Sequence, residues 1–148
     1  MPDVIRLEQA FPQPVERVFE AFRNPRDLER WAWGSVGKDT RATVDFREGG
    51  TFTVSTAQND GTRWAMNGTY TEILPDRRIA HTLAWDAPMG YGPVPETIVA
   101  EFAPAADGCT LVFRHEGAFG EKARDGHAKG WANVLKTLRE ALEQDAVR

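Results

Sequence analysis

The sequence predicts an α+β fold in which a curved antiparallel sheet and two short helices close around a long C-terminal helix and an internal cavity. Turn signals separate short strand-like runs between residues 43 and 115, which is typical of an antiparallel meander and not of alternating βαβ units. Helical periodicity follows over residues 121–145, and a shorter helical pattern precedes the sheet. The length suits a single domain that spans residues 1–148.

The N-terminal part predicts one strand and two short helices. Residues 4–11 have the composition of a strand, which ends at the prolines that follow. The next apolar residues are spaced i, i+3, i+4 and i+7, as in an amphipathic helix: Val15, Val18, Phe19 and Phe22. Asn24 precedes Pro25 and predicts the N-cap of a second helix that reaches Trp31, and residues 33–38 predict a loop.

The middle of the chain predicts the remaining strands. They cover residues 43–46, 51–55, 63–74, 79–85, 96–102 and 110–115. Four connections are tight turns marked by glycine, proline, asparagine or aspartate: Glu48-Gly49-Gly50, Asn59-Asp60-Gly61, Pro75-Asp76 and Ala106-Asp107-Gly108. The connection over residues 86–95 is rich in proline and glycine and predicts a longer loop.

The C-terminal helix is predicted from one stripe of side chains. The stripe recurs at i, i+4, i+8, i+11 and i+15: His127, Trp131, Leu135, Leu138 and Leu142. At about 1.5 Å per residue, roughly 24 residues make a helix of about 36 Å. Such a helix is long enough to cross an entire sheet.

Alternation along three strands predicts which side chains face this helix. The more apolar row of each strand should point inward: Ile79, His81, Leu83 and Trp85; Ile98, Ala100 and Phe102; Leu111, Phe113 and His115. His81 and His115 lie on inward rows, and His127 begins the inward stripe of the helix. Each imidazole either satisfies a hydrogen bond at the rim of the core or anchors a ligand in an apolar pocket. A metal site built from all three is the remaining alternative, although no close-spaced ligand motif is present.

Composition excludes several classes of protein. The formal net charge is -4 with both signs interspersed, so no basic stripe for nucleic acid stands out. No apolar run approaches the roughly 20 residues that span a bilayer. The N-terminus lacks the pattern of a secretory signal, and the lone Cys109 cannot form an internal disulfide, so we expect a cytoplasmic protein. Homodimerisation stays open, without a heptad seam to support it.

No catalytic constellation can be named from motifs. The sequence contains no P-loop, GxGxxG, HExxH, CxxC or GxSxG pattern, and we expect neither a cofactor nor a metal. Cys109 falls in a predicted hairpin turn without a neighbouring base to activate it. The carboxylates are scattered and are expected on the exposed face of the sheet: Asp45, Glu72, Glu96 and Glu101.

Short segments along nearly the whole chain match those of a known family. They are Pro14–Phe22, Asn24–Pro25 with Leu28 and Trp31, Phe46–Phe52, Gly68–Pro75 with Arg78–Ile79 and Trp85, Asp107–Leu111, His115–Gly117, and Gly130–Trp131 with Leu135 and Leu138. By these residues the chain resembles the single-domain form of the activator of heat-shock-protein-ninety ATPase homologue-like branch of the START/SRPBCC superfamily. The resemblance implies the helix-grip fold, START-like and birch-pollen-allergen-like, around a cavity for lipids, sterols, polyketides or other small apolar molecules.

The inward rows and the resemblance together predict a ligand pocket with aromatic walls and histidine anchors. Its expected residues are Trp64, Met66, Tyr70, His81, Leu83, Trp85, Phe102, Phe113, His115, His127, Trp131 and Leu135. Gly68 shares the parity of Met66 and Tyr70 and is expected to leave a gap between them. The alternative is a core that these rings fill. Residues 87–93 predict either a flap over the entrance or a simple connection, and Trp33 and Tyr91 either lids or surface residues.

Three functions from different classes are compatible with these features. The first is a binding or carrier domain for a small apolar or aromatic molecule, which needs a cavity of roughly 300–1,000 Å³. The second is an enzyme of the polyketide cyclase or aromatase kind that uses a pocket histidine or carboxylate as acid and base. The third is a protein-interaction module that contacts a chaperone and activates a heat-shock protein ATPase, which needs a contiguous exposed apolar patch.

Overall fold

The computed structural model describes residues 3–86, 96–117 and 120–146. Over these ranges the chain forms strands and helices in the predicted order. They are β1 (Asp3–Phe11), α1 (Val15–Arg23), α2 (Pro25–Trp31), a 3₁₀ helix (Gly34–Val36), β2 (Arg41–Val44), β3 (Thr51–Ala57), β4 (Arg63–Leu74), β5 (Arg78–Asp86), β6 (Glu96–Ala105), β7 (Gly108–Gly117) and α3 (Gly120–Ala146). The α+β helix-grip architecture is confirmed.

The seven strands form one sheet in the order β1-β7-β6-β5-β4-β3-β2. Every neighbouring pair is antiparallel, so the predicted meander from β2 to β7 is confirmed. The first strand closes the other edge by pairing with the last. A β-bulge follows Tyr70 in β4, where Tyr70 lies opposite His81 of β5. Bulges bend a strand and increase its twist, which helps this sheet to curve around α3.

The two short helices begin and end as their sequence predicts. The Asn24 side chain accepts a hydrogen bond from the backbone N–H of Arg26 at 2.9 Å and thereby caps α2. The indole N–H of Trp31 donates to the Ala21 carbonyl oxygen at 2.9 Å, which ties the end of α2 to α1. The predicted loop after α2 contains the short 3₁₀ helix.

The predicted inward rows of β5, β6 and β7 do form the core. The side chains buried on these rows are Ile79, Leu83, Ile98, Ala100, Phe102, Leu111, Phe113 and His115. Trp131, Leu135, Leu138 and Leu142 of α3 are buried against them. Strand alternation and helix periodicity therefore converge on one apolar interior.

Two local expectations are wrong. Gly68 leaves no gap, because the Phe52 ring of the neighbouring strand lies over it: a Cβ atom there would be 2.5 Å from Phe52 Cε1 and would overlap the Thr82 carbonyl oxygen. Cys109 lies within β7 and not in a turn, and it is buried in the core. Burial raises the pKa of its thiol, as expected of an inert structural cysteine.

The last turn of α3 is held against α1 and α2 by ion pairs. Asp145 accepts two hydrogen bonds from the Arg30 guanidinium, each at 3.0 Å, and a third from Arg17 at 3.0 Å. Arg17 also bonds Asp27 at 2.9 Å, so both short helices and α3 share one network. None of the helices in the described part of the chain has the length and apolar character needed to cross a bilayer.

Candidate functional site

An internal cavity of about 70 Å³ lies between the sheet and the helices. It is well below the roughly 300–1,000 Å³ of ordinary ligand pockets. The predicted residues that line it are Met66, Tyr70, His81, Leu83, Phe113 and Trp131. Of the two alternatives left open by the sequence, a cavity of this size favours the core filled by aromatic rings over an internal void of several hundred cubic ångströms.

Aromatic rings occupy the space in which a larger cavity was expected. The Phe52 ring packs against Tyr70 and His81, with centroid distances of 5.4 and 4.7 Å. Phe22 packs against Trp31 at 4.7 Å and against Phe102 at 5.2 Å. Such edge-to-face and tilted contacts are favourable beyond the burial of area alone. The core of this protein is largely filled by its own side chains.

A larger space opens to solvent at the edge of the core. This cleft has a volume of about 510 Å³ and lies between the 3₁₀ helix, the start of β4, the end of β5 and the N-terminal half of α3. Four of the five tryptophans of the chain line it: Trp33, Trp64, Trp85 and Trp131. We call it the tryptophan cleft. It shares Met66 and Trp131 with the internal cavity, so the two spaces have a common wall.

Two glycines on α3 line this cleft at exposed positions. Gly126 and Gly130 are one helical turn apart and both line the cleft. A Cβ atom at either position would meet no atom within 4 Å, so a side chain there would project into empty space. Glycine inside a helix costs about 1 kcal/mol relative to alanine. The helix is therefore less stable with these glycines than it would be with alanine. A larger side chain at either position would occupy space at the cleft.

A chain of buried hydrogen bonds supports two of the tryptophan walls. The indole N–H of Trp131 donates to Nδ1 of His115 at 2.8 Å, so Nδ1 carries no proton in this arrangement. The His115 proton then lies on Nε2, which donates to Glu96 Oε1 at 2.6 Å. The Trp85 indole N–H donates to the same oxygen at 3.3 Å. Burial lowers the pKa of His115, against the raising effect of Glu96, and favours the neutral ring.

The other two histidines face the two spaces. His127 lines the tryptophan cleft, with its ring stacked on Trp85 at 5.9 Å and 15° and edge-on to His115 at 4.9 Å. Burial lowers the pKa of His127. His81 lines the internal cavity and its Nδ1 donates to the Thr82 carbonyl oxygen at 2.7 Å. Burial lowers the pKa of His81 to about 4, so this ring is neutral at pH 7 and its Nε2 is an acceptor.

The structure divides the predicted site residues among three places. Six of them line the internal cavity. Trp64, Trp85 and His127 line the tryptophan cleft, together with Met66 and Trp131, which line both spaces. Phe102, His115 and Leu135 are buried in the core and line neither space. Within the described ranges, no group of three histidine, cysteine or acidic side chains is placed to hold a metal ion. The predicted flap over residues 87–93, with Tyr91, lies outside the described residues.

Sequence reasoning missed Glu96 and the two glycines, and it left Trp33, which the structure buries in the wall of the cleft, open between a lid and a surface residue. Glu96 was expected on the exposed face, yet its side chain is buried against His115. Its parity with Ile98 and Ala100 on an inward row was the signal that could have placed it inside. Gly126 and Gly130 are four residues apart and therefore share one face of the helix close to His127, which was the corresponding signal on α3.

Comparisons with known proteins agree with this fold. Residues 12–143 match the model of a family described as Activator of Hsp90 ATPase homolog 1-like protein. Similar solved structures include protein CV1439 from Chromobacterium violaceum (TM-score 0.81, 28% identity, 95% of this chain and 96% of that one). An AHSA1-like protein from Aeromonas hydrophila (0.81, 21%, 99% and 96%) and protein SA2116 of unknown function from Staphylococcus aureus (0.87, 16%, 100% and 98%) share the fold. No curated protein matches the chain.

Proposed function

The chain belongs to the family of Activator of Hsp90 ATPase homolog 1-like proteins, and from this premise we propose that it is a START-like domain that binds a small apolar or aromatic molecule in the tryptophan cleft. The observation that carries the proposal is the pair Gly126 and Gly130. They line the cleft at exposed positions of the helix where a Cβ atom would meet no atom within 4 Å, although alanine there would make the helix more stable.

Size and chemistry support the cleft over the internal cavity as the place of binding. About 510 Å³ lies within the ordinary range for ligand pockets, whereas about 70 Å³ does not. Indole rings provide large apolar contact areas, and each Å² of apolar surface removed from water contributes about 25 cal/mol. An apolar end of the ligand would reach the shared wall at Met66 and Trp131.

Neither alternative function is favoured by a specific observation. A cyclase-type reaction needs a pocket histidine that can exchange a proton with a substrate. Both ring nitrogens of His115 take part in buried hydrogen bonds, and His81 lines a cavity of only about 70 Å³, below the size of ordinary ligand pockets. A chaperone-binding module would need a contiguous apolar surface. In the described part of the chain, the exposed large apolar side chains are Val4, Val36 and Leu74, on three different elements.

A thermal-shift screen with two matched leucine variants tests the proposal. Native mass spectrometry of gently purified protein and a panel of aromatic amines, phenols and short fatty acids supply the ligands. At 100 times its Kd a ligand stabilises the folded state by about 2.7 kcal/mol, which raises Tm by about 5–10 °C in a protein of this size. Gly130→Leu would fill the cleft and abolish the shift. Lys136→Leu, at an exposed position of α3 that does not line the cleft, would keep it.

The outcome that contradicts the proposal is equally specific. If Gly130→Leu folds and retains the full ligand-dependent rise in Tm, binding does not take place in the tryptophan cleft. A complete absence of any shift in the wild-type protein across the panel would also count against it.

A further inference from the structure

The Glu96 carboxylate lies behind two walls of the tryptophan cleft, and none of the described residues places a cationic side chain beside it. Its Oε1 atom accepts hydrogen bonds from Trp85 and His115, and both donors are neutral groups. Among the described residues, no lysine or arginine forms an ion pair with Glu96, and the connecting residues 87–95 contain neither type. His115 does not supply the missing charge, because Trp131 donates to its Nδ1.

A buried carboxylate in this situation favours a cation nearby. Carboxylates that leave water are ordinarily paired with a positive group, because hydrogen bonds from neutral donors replace only part of the lost hydration. Here the side chain of Glu96 is only 9% exposed and its surroundings are aromatic. The negative charge therefore acts on the inner end of the cleft through a medium of low polarity.

Three of the four indole N–H groups around the cleft are engaged in hydrogen bonds within the protein. The N–H of Trp33 donates to the Val54 carbonyl oxygen at 3.1 Å, and those of Trp85 and Trp131 donate to Glu96 and His115. The face of an indole ring carries the negative part of its quadrupole and attracts cations. An N–H that donates to a carboxylate polarises its ring further in the same direction.

We infer that the tryptophan cleft binds an organic cation, a protonated amine or quaternary ammonium group attached to an apolar or aromatic body. The inference rests on the proposed function and specifies the ligand class of the same cleft. Lys129 at the rim is the opposing charge among the lining residues. Its side chain is exposed, so water and salt screen it more strongly than they screen the buried Glu96.

A pair of probes with the same shape and different charge tests the inference. Tryptophan fluorescence is titrated with phenyltrimethylammonium and with its uncharged isostere tert-butylbenzene. Cation–π attraction at a partly desolvated site predicts that the wild-type protein binds the cation about five- to thirty-fold more tightly than the isostere. Equal affinities, or a preference for the isostere, would overturn the inference and leave the proposed function standing. If neither probe binds, both are contradicted.

Glu96→Gln separates the charge from the shape of the site. The glutamine carbonyl oxygen can still accept from Trp85 and His115, so the walls stay in place while the charge is lost. We expect the preference for the cation to fall to about twofold while the affinity for tert-butylbenzene is retained. Glu101→Gln is the control, because Glu101 lies on the same strand but pairs with Arg78 and Arg114 on the other face. An unchanged preference in a folded Glu96→Gln protein would overturn the role of Glu96.

A second variant keeps the test decisive if Glu96→Gln does not fold. Trp64 is half-buried and lines the cleft, and the hydrogen bonds of Glu96 do not involve it. Trp64→Leu replaces an aromatic face with an apolar side chain. It should weaken binding of phenyltrimethylammonium about fivefold and that of tert-butylbenzene by less than about twofold. Equal weakening of both probes would show that the wall acts only by apolar contact.

Discussion

At the scale of single residues, the protonation states of the buried histidines follow from their partners. Trp131 can only donate a hydrogen bond, so His115 accepts at Nδ1 and donates at Nε2. A proton added to Nδ1 would place two N–H groups against each other and break the link to Trp131. His81 likewise donates from Nδ1 to a carbonyl oxygen inside the core. Both rings are stable there only in the neutral form.

This arrangement predicts that the protein loses stability as the pH falls from about 6.5 to about 4. An unfolded histidine takes up a proton near pH 6.5, whereas His81 in the folded protein does so only near its pKa of about 4. Between these values the unfolded state binds more protons, so the free energy of unfolding decreases as the pH falls. The loss from His81 is at most about 3 kcal/mol, and the lowered pKa values of His115 and His127 act in the same direction.

Urea unfolding at pH 7.5 and pH 5 measures this effect. We expect a lower midpoint at pH 5 and a smaller difference between the two values in His81→Leu, which cannot titrate there. The pKa of Asp145 is lowered by the Arg30 hydrogen bonds, so its contribution is lost only at still lower pH. Equal midpoints of the wild-type protein at both pH values would contradict the neutral buried histidines.

At the scale of elements, strand alternation predicted most of the core. It failed where the position of a side chain depends on contacts with a neighbouring strand. The inward rows of β5 to β7 follow from a period of two in one strand at a time. Glu96 shares the inward row of β6, but a carboxylate is ordinarily found at an exposed position, and an exposed position was therefore expected. The Phe52 ring that covers Gly68 depends on the register of β3 against β4, which no pattern within either strand contains.

Two glycines with opposite surroundings provide a test of these local structures. Gly68→Ala should destabilise the protein by about 3 kcal/mol, because the added methyl group collides with Phe52 and with the backbone of β5. Gly126→Ala should stabilise it by about 0.5–1 kcal/mol, because the methyl group enters open space and alanine favours the helix. Chemical denaturation of both variants measures the two changes. A loss of stability in Gly126→Ala would contradict the open cleft.

The ion-pair network at the end of α3 predicts that two acidic residues of this helix contribute differently to stability. Asp145→Ala should reduce stability by about 1 kcal/mol, because a bidentate, partly buried partnership with Arg30 is lost. Glu143→Ala removes only an exposed pair with Arg139 and should change stability little. Hydrogen exchange should show faster opening of the last turn of α3 in Asp145→Ala alone. Equal behaviour of the two variants would mean that the network does not hold this turn.

At the scale of the whole molecule, the space large enough for a small ligand lies at the edge of the core and not at its centre. The sheet curves around α3 as the sequence predicts, but aromatic rings from α1, α2 and β3 fill most of the interior. The tryptophan cleft forms where the 3₁₀ helix, the sheet and α3 meet, and Gly34 allows that close approach. A side chain at Gly34 would overlap Asn133 Oδ1, which accepts a hydrogen bond from the Ser35 N–H at 2.8 Å. A site built from such distant segments depends on tertiary packing, which motif and periodicity arguments do not contain.

The indole N–H signals of ¹⁵N-labelled protein distinguish binding in the tryptophan cleft from binding in the internal cavity, because tryptophans line both spaces. Trp31 lines the internal cavity only, Trp33, Trp64 and Trp85 line the cleft only, and Trp131 lines both. On titration with phenyltrimethylammonium or tert-butylbenzene, binding in the cleft predicts shifts for all of them except Trp31. A shift of Trp31 without those of Trp33 and Trp64 would place the ligand in the internal cavity and contradict binding in the tryptophan cleft.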